Sequence, residues 1–282
     1  MTTYLEPSFF IIGERKCGTS SLYRYLVAHP NVLPCALKEP NFFGKGVDYV
    51  QQNIAEYWSM FPAKDSEATI EFSWPELNKQ GILYHEDVVV ERKTGINYIT
   101  GEASANTFYE VNPQLVHQYL PNIKLILLFR NPVERAFSHH RMYQRFQAEG
   151  RDLGFAVQDF ETDMLAELAK LEKGESGHYL SPSIYLPQLK NWVNTFGKAS
   201  IRVYFAEDLG NPQKGAMLLT DLQNFLGLPC HDYTGILKKR YNVAPKSKIP
   251  AKANNLLQTF FKPHNRLLQH YLGKDLPASW DI

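Results

Sequence analysis

The sequence predicts an α/β fold, with a central parallel sheet flanked by helices in one domain of 282 residues. Two segments carry that expectation. Phe9-Phe10-Ile11-Ile12-Gly13-Glu14-Arg15-Lys16-Cys17-Gly18-Thr19-Ser20-Ser21 passes from a short apolar run through a glycine-bracketed turn into a helix start. Lys124-Leu125-Ile126-Leu127-Leu128-Phe129-Arg130-Asn131-Pro132 repeats the plan, with five apolar residues in succession and then a proline suited to a first helical turn. Unbroken apolar runs of this length mark strands buried on both faces, and strand-then-helix alternation marks a parallel sheet.

Taken in chain order, the first strand leads to a helix over 20–29, ended by Pro30. Residues 49–74 are rich in aromatics, among them Tyr57, Trp58, Phe61, Phe72 and Trp74. These read as core or lid packing, with a platform for a sugar or an acyl chain as the alternative. Segments 87–92 and 96–100 flank Lys93-Thr94-Gly95 and predict a β-hairpin. A strand over 124–129 precedes a helix over 132–147 that stops near Gly150. Helical periodicity recurs at 155–173, 184–196 and 213–226, and 200–205 reads as another buried strand. A basic loop and a helix fill about 238–282, and no internal repeat or low-complexity tract is present.

Thirty Lys and Arg against 29 Asp and Glu give a net charge of +1, which argues against bulk electrostatic capture of nucleic acid or a membrane surface. The three cysteines, Cys17, Cys35 and Cys230, form no Cys-x-x-Cys pair, so disulfide scaffolding is not expected. No apolar run approaches the roughly 18 residues that span a bilayer, and the first strand follows the polar start directly. The expected location is the cytoplasm. No His/Cys/Asp/Glu cluster has metal-ligand spacing, so no metal is expected.

The turn after the first strand comes close to a Walker A loop and departs from it informatively. Gly13 and Gly18 stand five apart, but Thr19 occupies the usual lysine position and the lysine, Lys16, lies inside the loop. Such a loop still suits an anion: the N–H groups and dipole of the following helix point at it, and the Thr19, Ser20 and Ser21 hydroxyls can donate. Arg130 falls at the carboxyl end of a strand, where open α/β sheets bind ligands, and Ser138 follows about two helical turns later. A guanidinium and a hydroxyl so spaced make a phosphate clamp; an Arg130–Glu134 pair at a helix start is the plainer alternative.

Together these residues resemble the PAPS-dependent sulfotransferases, whose donor is 3′-phosphoadenosine 5′-phosphosulfate and whose fold is a single P-loop-like domain. Arg15-Lys16-Cys17-Gly18-Thr19-Ser20-Ser21 is similar to the family's 5′-phosphosulfate loop, and the stretch from Arg130 to Ser138 to its 3′-phosphate motif. Lys38-Glu39-Pro40-Asn41-Phe42-Phe43 resembles the Lys-Glu-x-x-Phe-Phe block of the heparan-sulfate branch, where the Glu is the base. Gly101 to Phe108 resembles that branch's Glu-Lys-Ser-x-x-Tyr-Phe segment, and Tyr185 to Trp192 its Tyr-x-x-x-Leu-x-x-Trp helix. The basic run with Asn242, Pro245, Lys246, Ser247 and Lys248 is similar to a loop that closes over the donor. Ala103 and Asn41 depart from the branch, which usually has lysine and often histidine there. Both lie on the acceptor side, so the donor carries over more firmly than the acceptor. A variable insertion is expected at about 44–100.

The resemblance implies transfer of a sulfuryl group to a hydroxyl or amine, of a carbohydrate or else of a small metabolite or carrier-tethered acyl chain. It makes Lys16, Lys38 and Glu39 the catalytic residues, with Glu102 as a second candidate base. Arg15, Lys16, Cys17, Gly18, Thr19, Ser20, Ser21, Arg130, Ser138, Tyr185, Lys246 and Lys248 are the expected donor contacts. The plain reading of Lys38 and Glu39 is a surface ion pair. A P-loop kinase is disfavoured by the missing loop lysine and by Arg130 where a magnesium-holding aspartate would stand, and a non-catalytic nucleotide-binding module would have no use for Glu39. Nothing in the sequence ties His139 or His140, on the helix of Ser138, to an acceptor.

Overall fold

The computed structural model describes residues 3–64, 70–77, 83–239, 241 and 247–280. In chain order its elements are β1 (Pro7–Gly13), α1 (Thr19–Val27), β2 (Val32–Pro34), α2 (Val47–Ser59), β3 (Ile70–Leu77), β4 (Leu83–Val90), β5 (Ile99–Ala103), α3 (Thr107–Glu110), α4 (Pro113–Tyr119), β6 (Lys124–Phe129), α5 (Pro132–Ala148), α6 (Phe160–Glu172), α7 (Tyr185–Phe196), β7 (Ile201–Phe205), α8 (Ala206–Leu209), α9 (Pro212–Leu226) and α10 (Ala251–Leu272). The chain forms two compact units. One comprises Met1–Glu14, Gly18–Leu128 and Asn191–Pro245, and the other Arg15–Cys17, Phe129–Lys190 and Lys246–Ile282.

The first unit is built on a sheet in the order β2-β5-β1-β6-β7, with β1 parallel to both β5 and β6 and β2 parallel to β5. Phe9 to Ile12 and Leu125 to Leu128 are at most 1% exposed, which is why their sequences are unbroken apolar runs rather than alternating ones. Helix α1 packs on β1, β2 and β5, and α3 packs on β1. Trp192 fixes the end of α3 by donating its indole N–H to the Phe108 carbonyl at 2.9 Å. Gly101 faces Phe9 across the β1–β5 pair, and a Cβ there would stand 2.3 Å from the Phe9 carbonyl oxygen.

The hairpin expected from 87–92 and 96–100 is not formed. Its first arm belongs to β4, which pairs antiparallel with β3 in a separate two-stranded sheet, and its second joins the parallel sheet as β5. The turn signal of Lys93-Thr94-Gly95 is real, but Thr100, Gly101 and Glu102 find better partners between β2 and β1 than in a local return. Of the aromatic stretch, Tyr57, Phe61 and Trp74 are buried, as core packing requires.

In the second unit α5, α6 and α10 enclose a core of Val133, Ala136, Phe160, Met164, Leu257 and Phe261 with their neighbours. Helix α6 starts at Phe160 rather than 155 because Asp159 caps it, accepting from Thr162 N–H at 3.1 Å, while Val157 is tied to Gln147 at 2.7 Å. Glu167, buried on α6, accepts the backbone N–H groups of His178, Tyr179 and Leu180 at 2.5, 2.9 and 2.7 Å. That carboxylate fixes the approach to α7.

Gly101→Ala is expected to cost about 3 kcal/mol, because the intruding methyl meets backbone that cannot yield as a side-chain tip would. Urea denaturation of the variant would show this as a lower midpoint at unchanged slope.

Candidate active site

Each candidate segment starts where a strand ends: β1 runs into Glu14 and Arg15, β2 into the stretch with Lys38 and Glu39, β5 into Ser104 and β6 into Arg130. Carboxyl ends of parallel strands are where open α/β sheets hold ligands, because the loops there are free of sheet pairing.

Within the second unit, Arg15, Lys16 and Cys17 meet Arg130 and Tyr185. Arg130 binds Glu134 through Nη2 at 2.8 Å and Nε at 3.2 Å, so the plain helix-start pair is present. Its Nη1 meanwhile donates to the Lys16 carbonyl at 3.4 Å, which adds a link to the loop. Tyr185 donates to the Arg130 carbonyl at 2.7 Å, stacks on Phe129 with ring centroids 4.2 Å apart, and holds its oxygen 3.9 Å from the Cys17 sulfur. Tyr185 and Cys17 are both buried, so they brace the loop from beneath. Ser138 is half-buried on α5.

Arg15 directs Nη1 to the Tyr143 hydroxyl at 3.1 Å and to His139 Nε2 at 3.3 Å, while its carbonyl accepts from Arg135. Burial, reinforced by the positive Arg135, Arg15 and Lys16, holds His139 well below the ordinary histidine range. The ring is therefore neutral and accepts from Arg15, which a protonated imidazole could not do. His139 and Tyr143 escape sequence reasoning because they stand more than 120 residues from Arg15; no local spacing announces the pair. Lys248 is exposed, and Lys246 lies outside the described residues.

Within the first unit, Gly18 forms the N-cap of α1 at φ 91, and no side chain caps that helix. Backbone N–H groups at an uncapped helix start are donors suited to an anion. Thr19 is buried and Ser20 half-buried. Ser21 instead exchanges hydrogen bonds with the backbone of Tyr241, accepting its N–H at 3.2 Å and donating to its carbonyl at 3.4 Å.

Lys38 and Glu39 are half-buried. Among the described residues, the non-glycine positions with positive φ are Lys16 at 71°, Glu39 at 57° and Asn41 at 47°. All three fall in the two segments singled out for chemistry, and left-handed backbone at non-glycine residues is retained where the site requires it. Asn41 closes its turn by donating Nδ2–H to the Glu39 carbonyl at 2.9 Å.

Glu102 is sealed from solvent, with Oε1 accepting the Tyr57 hydroxyl at 2.9 Å and Oε2 the Ser104 hydroxyl at 2.6 Å. Burial pushes its carboxyl up to about 7, although both hydrogen bonds pull the other way. A carboxyl enclosed with both oxygens engaged is built to hold neighbours. Glu39, by contrast, is half-buried. No three His, Cys, Asp or Glu side chains among the described residues stand as a metal-ion group, and none of the described helices is long and apolar enough to cross a membrane.

Residues 7–176 match the model of the Sulfotransferase family, so the chain belongs to that family and is a transferase. It is 24% identical to human carbohydrate sulfotransferase 15 over 95% of this chain and 54% of that protein. It is 25% identical to human bifunctional heparan sulfate N-deacetylase/N-sulfotransferase 3 over 97% of this chain and 31% of that one. The chain thus spans between about a third and a half of these relatives. Its fold matches a sulfotransferase from Alicyclobacillus acidocaldarius at TM-score 0.63 and 24% identity, over 98% of this chain and 99% of that one. It matches mouse sulfotransferase SULT7A1 complexed with PAP at TM-score 0.53 and 14% identity, over 96% and 90%.

The Glu102 carboxyl sets a pH signature on stability. Its folded-state value, about 7 against an ordinary 4.5, means the folded protein favours the protonated form. Its contribution is fully present below about pH 4.5 and lost as pH rises through 7. Relative to Glu102→Gln, the unmodified protein should lose on the order of 3 kcal/mol across that window, measured as the difference in denaturation midpoints at pH 4.5 and pH 8.

Proposed function

We propose that the chain moves the sulfuryl group of PAPS to a hydroxyl or amine of a carbohydrate, by in-line transfer with Glu39 as base. The observation that carries this reading is the left-handed backbone at Lys16 and Glu39, which singles out the loop and the turn that the chemistry needs. PAPS as donor is supported by family membership and by the fold match to a sulfotransferase complexed with PAP. The carbohydrate acceptor rests on the carbohydrate and heparan sulfate sulfotransferases among the relatives.

In this scheme the uncapped start of α1 and Lys16 receive the 5′-phosphosulfate, and Arg130 with Ser138 receives the 3′-phosphate. The acceptor oxygen or nitrogen attacks sulfur while the bond from sulfur to the phosphate oxygen breaks. Glu39 takes the acceptor proton, Lys16 neutralises charge building on the leaving oxygen, and Lys38 faces the sulfuryl oxygens. The loop lysine and helix dipole supply the positive charge that a kinase draws from magnesium. The basic run adds Lys246 and Lys248 as donor contacts.

Arg130→Ala tests the donor clamp. It should weaken 3′,5′-bisphosphoadenosine by about 1.5–3 kcal/mol while leaving AMP almost untouched, since only the bisphosphate carries the group Arg130 pairs. Calorimetry giving equal losses for both ligands would defeat the assignment.

A transfer assay with PAPS and N-desulfated heparan sulfate as the probe acceptor, run in excess EDTA, tests the chemistry. Glu39→Gln should lower turnover by roughly 10²–10⁴ with bisphosphate affinity kept within about twofold, the signature of a base that meets only the acceptor proton. Lys16→Ala should weaken donor binding and slow turnover together. No sulfation of the glycan by the unmodified chain would refute the acceptor class.

A further inference from the structure

The turn that carries Glu39 is tied down at both of its ends. At its start the Ala36 N–H donates to the Met60 carbonyl at 2.8 Å, and the Cys35 N–H donates to the Tyr23 hydroxyl at 2.8 Å. At its close the Asn41 N–H donates to the Ser104 hydroxyl at 3.0 Å. Beyond it Phe42 and Phe43 are buried against Tyr57, with centroids 5.0 and 5.1 Å away. Four residues, 37 to 40, lie between these anchors, and Glu39 is held left-handed among them.

The Ser104 anchor depends on Glu102. A serine hydroxyl has one proton and two lone pairs. Its proton is directed to Glu102 Oε2 at 2.6 Å, which leaves the oxygen to accept from Asn41. The other carboxyl oxygen takes the Tyr57 hydroxyl at 2.9 Å, so the ring that packs on Phe42 and Phe43 and the serine that stops the turn are joined through one side chain. Glu102 and Ser104 are both fully enclosed and cannot meet an acceptor themselves.

We infer that Glu102, acting through Ser104, is a positioning residue for the general base: the Tyr57–Glu102–Ser104–Asn41 chain of hydrogen bonds sets where the Glu39 carboxylate stands. This rests on Glu39 being the base. The relay touches neither donor nor acceptor, so it governs the rate of proton removal and leaves ligand binding alone. The relay uses the ionised carboxylate, whose two oxygens both accept; glutamine at 102 offers one acceptor oxygen where Tyr57 and Ser104 present two donors, and alanine at 104 leaves the Asn41 N–H without its oxygen.

The test is a double-mutant cycle, with turnover measured using PAPS and N-desulfated heparan sulfate and binding measured by calorimetry with 3′,5′-bisphosphoadenosine. Ser104→Ala should lower kcat by roughly tenfold or more, with bisphosphate affinity and acceptor KM within about twofold. In a Glu39→Gln background the same substitution should cost less than about twofold, since no base remains to be placed. Glu102→Gln should reproduce both results, and it supplies the cycle should Ser104→Ala fail to fold. An unchanged kcat in Ser104→Ala, or an undiminished loss on top of Glu39→Gln, overturns the positioning role while leaving the base in place. A Glu39→Gln variant turning over at the parent rate overturns the base assignment itself, and the relay with it.

Discussion

Strand β1 has a partner on each edge and no exposed face, and the arrangement of the first unit follows from that. Most of its backbone polar groups are buried and find partners on β5 and β6, with the Ile11 carbonyl taking the Ser104 N–H just past the end of β5, because an unpaired buried backbone group is costly. The register this enforces puts Gly101 against Phe9, where only a residue without a side chain fits, and brings Glu102 beside Phe10. The candidate turns therefore start at strand endings, and hydrogen bonds of their own, such as that from the Asn41 N–H to the Ser104 hydroxyl, complete their placement.

Placed this way, the turns can hold unfavourable backbone. Lys16 and Glu39 each adopt a conformation disfavoured for a side-chain-bearing residue by about 1–2 kcal/mol, while Asn41 is of a type that enters it more readily. Arg130 shows a different economy. Its ion pair with Glu134 and its bond to the Lys16 carbonyl coexist, so the guanidinium is held in a fixed orientation beside the loop. A pair that is partly exposed adds little stability of its own, and its value lies in aiming the guanidinium.

The β1 loop, β6 and helix α5 are legible in the sequence because the cues are local: apolar runs too long for a half-buried strand, a glycine where φ must be positive, and Pro132 at a helix start capped by Asn131. Strand β5 is not legible as a central strand. Its Thr100-Gly101-Glu102 core is polar or lacks a side chain, and it becomes buriable only through hydrogen bonds to Leu33, Tyr57 and Ser104, none of which the local sequence announces. The same limit applies to the support of Arg15 by His139 and Tyr143. Motifs expose the residues that face ligand; the residues that hold them are recruited from distant positions whose side chains carry no periodic signal.

The left-handed backbone at Glu39 and Asn41 has a consequence for engineering. A search for thermostable variants would favour glycine at these positions, since glycine relieves the unfavourable φ, and it would score such changes as gains. Each would also delete a side chain from the turn and widen the range of conformations open to residues 37 to 40. Selection on heat resistance alone would thus loosen the turn at the positions where stability is easiest to improve, and a library for this fold should keep residues 37 to 41 unvaried.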